Sequence, residues 1–251
     1  MITKSELFDT ARLKGIDNKG YAEKDYLLEL VLFSLSKNMK DELIFKGGTA
    51  LYKFFKLDRF SEDLDFSGVK EIDIGGLMKK VMNDLSKFNV ESEISKIKEP
   101  FNSVLITLRI KGQLYDGNSR TVSNIRIDIN KKSKVELEPL RLKFASLYRD
   151  IPSFYVLVMQ EKEILAEKIR ALMTRDKARD LYDAFELIMN KIEIDKKLIE
   201  KKLRYYNLKF SKGELSKSID EKEKLWGVEL KPLLVELPDF AEVKKKILSV
   251  F

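Results

Sequence analysis

The apolar residues of this chain change their spacing once, near residue 160, and that change constrains the fold more than any other feature. Before it, stretches spaced like helices alternate with stretches in which every second residue is apolar; after Glu161 only helical spacing remains. Helical patterns cover residues 1–15 and 21–38, the second carrying Tyr26, Leu27, Leu30, Val31 and Phe33. Ile44-Phe45 predicts a short buried strand, Gly47-Gly48 breaks it, and Thr49 offers a cap to a helix running through Ala50, Leu51, Phe54 and Phe55. Asp63–Phe66, Val104–Gln113 and Asn124–Asn130 read as strands, residues 75–89 as a helix, and Phe154–Met159 as a short extended run. Further helices are expected over 161–174, 177–190, 195–205, 214–225 and 239–250. The fold class this predicts is α+β: a small mixed β-sheet with flanking helices over residues 1–153, then an all-helical C-terminal domain over 154–251.

Composition narrows the chemistry. A chain of 251 residues with 44% hydrophobic content can bury a core. No stretch approaches the ~20 apolar residues of a membrane span, and the opening MITKSELFDT lacks the charged-then-apolar layout of a signal peptide. The expectation is a cytoplasmic protein with no membrane partner. There is no cysteine, so disulfides and thiolate metal sites are excluded. There is no histidine either, which removes the usual general base and the commonest zinc ligand. What remains is carboxylates, Lys, Arg and hydroxyls, a set whose oxygens suit Mg²⁺ or Mn²⁺. The net charge of +7 favours a polyanionic partner such as a nucleotide or RNA, although lysine-rich proteins are often basic without binding one.

Two short motifs carry the candidate chemistry. Gly47-Gly48-Thr49 stands between a strand and a helix, where glycines let the backbone approach a phosphate and the first amides of the helix face it. Asp63-Leu64-Asp65-Phe66 is a strand with both carboxylates on one face and Leu64 and Phe66 on the other. Two carboxylates that close repel each other unless a cation lies between them. Taken singly, the first motif is also an ordinary strand-to-helix turn and the second a solvated strand face. A third carboxylate appears in Asn124–Asn130: Ile125, Ile127 and Ile129 face the core, and Asn124, Arg126, Asp128 and Asn130 share the other side. If this strand neighbours the first, Asp128 completes a three-carboxylate cluster for divalent metal; otherwise it lies on an exposed polar face.

The helical half has one odd position. On residues 161–175, Ile164, Leu165, Ile169 and Leu172 form an apolar arc with Lys168 inside it. Lys168 is either a snorkelling side chain whose stem covers the core or a cation for a phosphate. On the second account, Lys168→Met keeps the stem's apolar packing while deleting the charge, so stability should change little while turnover falls. On the next helix Leu181, Ala184, Phe185 and Ile188 form the core stripe, with Asp180 at its edge and Asp176 and Asp183 further round. Arg175, Arg179 and these acids would also make a surface salt-bridge ladder. Lys191, Lys196, Lys197, Lys201, Lys202 and Lys244–Lys246 read as a solvated face, with phosphate contacts to RNA as the alternative.

The glycine turn, short helix and Asp-x-Asp strand resemble the signature of the DNA polymerase β-like nucleotidyltransferase superfamily. More narrowly, Lys46–Leu51 with Arg59–Phe66, and Glu163–Leu172 with Arg175 and Ala178–Asp183, resemble the AbiEii/AbiGii toxin family over roughly residues 40–190. The resemblance implies a nucleotidyltransferase core with NTP as cosubstrate and Mg²⁺ (or Mn²⁺) as cofactor. For some members it implies the 3′ acceptor end of tRNA as the target, where added nucleotides block translation, and it implies a cognate antitoxin encoded alongside. It assigns Asp63, Asp65 and Asp128 to metal, Lys46, Gly47, Gly48, Thr49, Ser61 and Lys168 to the nucleotide, and Lys168 and Asp180 to catalysis beside the three carboxylates. Alternatives are nucleotidylation or phosphorylation of a protein by the same site, and a non-catalytic nucleic-acid or antitoxin-binding module.

Overall fold

Alternation of apolar residues builds one sheet. The computed structural model describes residues 1–39, 41–100 and 102–251. Among them, seven strands run in chain order as β1 (Leu43–Lys46), β2 (Asp63–Gly68), β3 (Glu91–Lys98), β4 (Ser103–Lys111), β5 (Ser123–Asn130), β6 (Leu140–Phe144) and β7 (Phe154–Val158). Their spatial order is β3-β4-β5-β2-β1-β7-β6. The sheet is mixed: β2 runs parallel to β5 and β1 to β7, and the remaining neighbours are antiparallel. Ile125, Ile127 and Ile129 of β5 are buried. At about 1.5–3 kcal/mol for each buried side chain, they fix which face of β5 points inward. A slip by one residue would expose all three, so Arg126 and Asp128 are committed to the opposite, polar face.

The helices of this half are α1 (Lys4–Leu13), α2 (Lys19–Asn38), α3 (Gly47–Phe54) and α4 (Ile74–Lys87). The capping box of Thr3 and Glu6 starts α1, and Asn18 and Asp73 cap α2 and α4 through their side chains. Helices α2 and α4 pack together, α2 also on β2, β5 and β7 and α4 on β3. Buried Asp84 of α4 accepts hydrogen bonds from Ser34 and Asn38 of α2 and pairs with Lys37, so the two helices share polar as well as apolar contacts.

Strands β3 and β6 were not expected, and both are edges. Every residue of β3 is at least partly exposed, so an inner, fully apolar face never develops in its sequence. A bulge between Ile94 and Lys96 further interrupts its period. The sheet is accordingly larger than the small one anticipated.

The chain divides into two units. The first holds residues 1–50, 62–135 and 139–158, and the second residues 51–61, 136–138 and 159–251. An expected boundary at 153/154 therefore shifts to 158/159, because β7 pairs with β1 and β6 in the sheet. In the second unit the elements from Glu161 onward are helical: α5 (Glu161–Leu172), α6 (Ala178–Met189), α7 (Lys196–Arg204), α8 (Lys212–Asp220), α9 (Glu223–Leu230) and α10 (Phe240–Ser249). Helix α5 packs on α6 and α7, and α6 packs on α9 and α10. The helix anticipated over 214–225 is two helices, separated at Glu221-Lys222. There the Lys222 ammonium donates to the Ser218 carbonyl, using one of the last acceptors of α8.

Lys202, read as part of a solvated face, is fully buried. Its ammonium pairs with Glu163 at 2.6 Å and Glu167 at 3.2 Å. Glu163 also accepts from the backbone amides of Glu136 and Leu137, which ties the 136–138 segment to α5. No helix among the described residues is long and apolar enough to cross a membrane.

Candidate active site

Three adjacent strands of the first unit bring the sequence motifs together. In the pairing of β1 with β2, Lys46 stands opposite Asp65; in the pairing of β2 with β5, Asp65 stands opposite Asp128 and Asp63 opposite Arg126. Residues paired across neighbouring strands project to the same side. Lys46, Asp65 and Asp128 thus form one row on the polar face of the sheet, and Asp63 and Arg126 form the next. The strand that carries Asp128 is thus the neighbour of the Asp63–Asp65 strand.

The glycine turn is matched to this row. Gly47 has φ +74°, a left-handed conformation that glycine adopts at no steric cost, and a Cβ built on it would lie 2.5 Å from Asp65 Oδ2. Backbone and carboxylate are in contact there only because the side chain is missing. Helix α3 starts at Gly47 itself, directly after β1, so the first-turn amides, that of buried Gly48 among them, belong to the helix end nearest Asp65. Thr49 is therefore inside the helix and does not cap it, contrary to expectation. It is fully buried, and its hydroxyl donates to the Asp63 backbone carbonyl, joining α3 to the first residue of β2. That bond makes Thr49 a residue that positions the carboxylate strand.

The three carboxylates share a face but do not converge. Among the described residues no group of three or more His, Cys, Asp or Glu side chains is arranged to hold a metal ion. Asp63 is engaged with another partner. Arg126 Nε donates to its Oδ1 at 2.7 Å and Nη2 to its Oδ2 at 2.9 Å, so both oxygens face the guanidinium. The hydrogen bonds to Asp63 raise the Arg126 pKa further. In kind, the donor set fits a hard divalent cation: three carboxylates on one polar face, with the Gly47 backbone leaving the space that a Cβ would fill. In position, the side chains as they stand form no such group, and Asp63 would have to leave Arg126 to join one.

The second unit holds the other two candidates. Lys168 of α5 is buried, and its ammonium lies 2.8 Å from Asp180 Oδ1 and 2.6 Å from Asp183 Oδ2, both on α6. Arg175 forks onto Asp180 at 2.7 and 3.0 Å. Arg59 forks onto Asp183, with Nε at 2.6 Å from Oδ1 and Nη2 at 2.7 Å from Oδ2. Two carboxylates and three cations thus alternate in one network. Burial disfavours the charged form of Lys168, but Asp180 and Asp183 outweigh it and hold its pKa above the ordinary value. Burial likewise pushes Asp180 and Asp183 up, and their cations outweigh it: Lys168 and then Arg175 at Asp180, Arg59 and then Lys168 at Asp183. Both carboxyls are held below the usual range.

This is no surface ladder. Asp183, placed further round α6 in the sequence reading, is completely buried, and Arg59, quoted there only as part of a motif, is 3% exposed. A sequence signal for Asp183 did exist: Asp180, Asp183, Ala184 and Leu187 follow helical spacing, and all four are buried. Nothing local announces Arg59, which meets Asp183 from 124 residues away. Beside it, Asp58 accepts a hydrogen bond from the buried Tyr182 hydroxyl, which anchors the 51–61 segment to α6 a second time. Ser61, also buried, ends that segment and is counted with the second unit, two residues before β2 begins. Tyr205 and Tyr206 are engaged within the protein: Tyr205 donates to Glu136, and Arg170 stacks on Tyr206.

Comparison with known proteins extends the picture. The sequence model of the family described as nucleotidyl transferase AbiEii toxin, type IV TA system, matches residues 31–246. MenT4, a nucleotidyltransferase toxin from Mycobacterium tuberculosis H37Rv, superposes with a TM-score of 0.64 at 21% identity, covering 100% of this chain and 91% of that one. JHP933 from Helicobacter pylori superposes with a TM-score of 0.59 at 21% identity, covering 93% of this chain and 90% of that one. At these identities the structures speak for the fold. No curated protein matches the sequence.

Proposed function

The chain belongs to the AbiEii family of nucleotidyl transferase toxins of type IV toxin–antitoxin systems, and from that premise we propose that it transfers nucleotides from an NTP to an RNA hydroxyl, with the 3′ end of tRNA as acceptor. Membership itself brings a nucleotide substrate and a cognate antitoxin; the acceptor and the metal are the proposal. The observation that carries it is the row Lys46–Asp65–Asp128 across three strands, with the Gly47 backbone against Asp65. Such a row places an anion-binding helix start, a lysine and acidic groups within one small area, which suits a polyphosphate more than it suits any neutral substrate.

Asp63, Asp65 and Asp128 would hold Mg²⁺ or Mn²⁺, and a cation there would neutralise the phosphates and favour ionisation of the attacking hydroxyl. The chain's own groups do the rest. The Gly47–Gly48 backbone receives the triphosphate at the start of α3, and Lys46 lies in the row beside it. Asp128 accepts the proton of the attacking ribose hydroxyl. The hydroxyl oxygen forms a bond to the α-phosphorus as the bond to the pyrophosphate oxygen breaks, and pyrophosphate leaves. Thr49 keeps β2 in register with the helix start. Ser61, two residues before β2, is assigned to the nucleotide, as is Lys168, with Asp180 holding its ammonium.

Radiolabelled NTPs, supplied one at a time with Mg²⁺ to total RNA and to total protein, test this reading. Label in the tRNA fraction, lost in Asp65→Ala, is the expected result. Label confined to protein would redirect the same site to protein nucleotidylation, and no label in either fraction would remove the transfer activity.

A further inference from the structure

The contact at odds with a ready metal site is the Arg126 fork on Asp63. Both residues lie on strands and face each other in register, so neither backbone can carry the pair apart; only rotation of the side chains can. The fork occupies both Asp63 oxygens, so a cation held by Asp63 with Asp65 and Asp128 would have to displace the guanidinium. The pair is also open to water, with side-chain exposures of 59% for Arg126 and 30% for Asp63. An ion pair in such a position adds little to the stability of a fold, so a purely structural role would gain little from it. It is strong enough to set where the Asp63 carboxylate points and weak enough to be exchanged for a divalent ion. We propose that Arg126 is a built-in counter-cation of this site: it neutralises Asp63 while no metal is bound, and it competes with the metal for that carboxylate.

The inference rests on the metal reading of Asp63, Asp65 and Asp128. If the three carboxylates are a metal site, an empty site would concentrate negative charge on one patch of the sheet, and Arg126 relieves it. Loading then swaps a guanidinium for a metal ion. The released Arg126, with its planar set of donors, stays tethered to β5 beside Asp128, where an arriving phosphate can take it. Metal and nucleotide would thus favour each other through one side chain. Arg126 acts through Asp63 and is a positioning residue.

The test is direct metal binding in the absence of nucleotide, with Mn²⁺ as the probe followed by electron paramagnetic resonance and calorimetry on the full chain. Arg126→Gln keeps a hydrogen-bond donor on a shorter side chain but removes the competing charge, and should bind Mn²⁺ roughly three- to tenfold more tightly than wild type, the upper figure being about 1.4 kcal/mol. Arg126→Lys, a point charge without the fork, should fall between them. Binding by Arg126→Gln that is equal to or weaker than wild type overturns the competition while leaving the metal site intact. Asp65→Asn distinguishes the two failures: if it binds Mn²⁺ as wild type does, or if no chain binds Mn²⁺ at all, the metal reading falls and this inference falls with it. Thermal melting in EDTA guards against misfolding, since a variant melting within a few degrees of wild type is competent for the comparison.

Discussion

The protein makes the same bidentate contact twice, in two different media. Arg126 grips Asp63 at 2.7 and 2.9 Å on the open face of the sheet, and Arg59 grips Asp183 at 2.6 and 2.7 Å inside the helical unit. Geometry hardly separates them. Exposure does: 59% and 30% for the first pair, 3% and 0% for the second. In water the first pair's attraction is screened and offset by side-chain entropy, leaving about 0–1 kcal/mol. Inside the protein, removing one partner strands an unpaired charge at a cost of about 3–5 kcal/mol. The lesson is that the open pair can be exchanged for a ligand, while the buried network is a permanent frame that holds the 51–61 segment to α5 and α6.

The largest expected effect is therefore on the buried side. Asp183→Ala leaves Arg59 without its carboxylate and Lys168 with one of two, and should lower unfolding free energy by about 3–5 kcal/mol in urea titration. A loss below about 1 kcal/mol would erase the contrast. Lys168→Met comes next. The sequence alone suggested that its stability would hardly change, because the stem packs in an apolar arc. With Asp180 and Asp183 both on the ammonium, the substitution should instead cost about 1–3 kcal/mol. Each acid keeps one arginine, which is why the loss stays below that of Asp183→Ala. Turnover in the variant should fall by about 10²-fold if the lysine also serves the nucleotide; wild-type turnover at reduced stability would make Lys168 purely structural.

Effects on stability shrink on the open face. Gly47→Ala forces a Cβ into left-handed backbone and against Asp65, and should cost about 1–2 kcal/mol. Its transfer activity should drop with that of Asp65 variants, because the carboxylate must move. Asp65→Ala is the sharpest contrast: activity should vanish, whereas the unfolding free energy should change by no more than about 0.5 kcal/mol, as expected of a half-buried position relieved of the like charge of Asp128 beside it. A stability loss comparable with that of Asp183→Ala would mean that the sheet carboxylates are structural too.

How much of this was legible in the sequence depends on how far apart the partners lie. The faces of β2 and β5 were readable because alternation is a local property of extended backbone, and Ile125, Ile127 and Ile129 left no doubt as to which side was apolar. The glycine turn was readable for the same reason, since left-handed backbone at Gly47 and the change from strand to helix are short-range features. Edge strands were not: β3 has no consistently buried side to create a pattern. Helical spacing placed Lys168 on an inward arc correctly, yet put Asp183 too far round and left Lys202 among solvated lysines. An apolar stripe is drawn from apolar residues, and a buried charge is invisible to it until its partner is known.

The sequence by itself determined the strand faces, the glycine at the turn and the change from mixed to helical structure at residue 160, because each follows from backbone geometry within a few residues. Only the tertiary structure decided that Arg126 meets Asp63 and that Arg59 meets Asp183, pairs separated by 63 and 124 residues. Such contacts depend on which strands become neighbours and which segment returns to which helix. Those choices are made by burial summed over whole elements, and an Asp and an Arg far apart in the chain can end as either an exchangeable surface clasp or a buried frame.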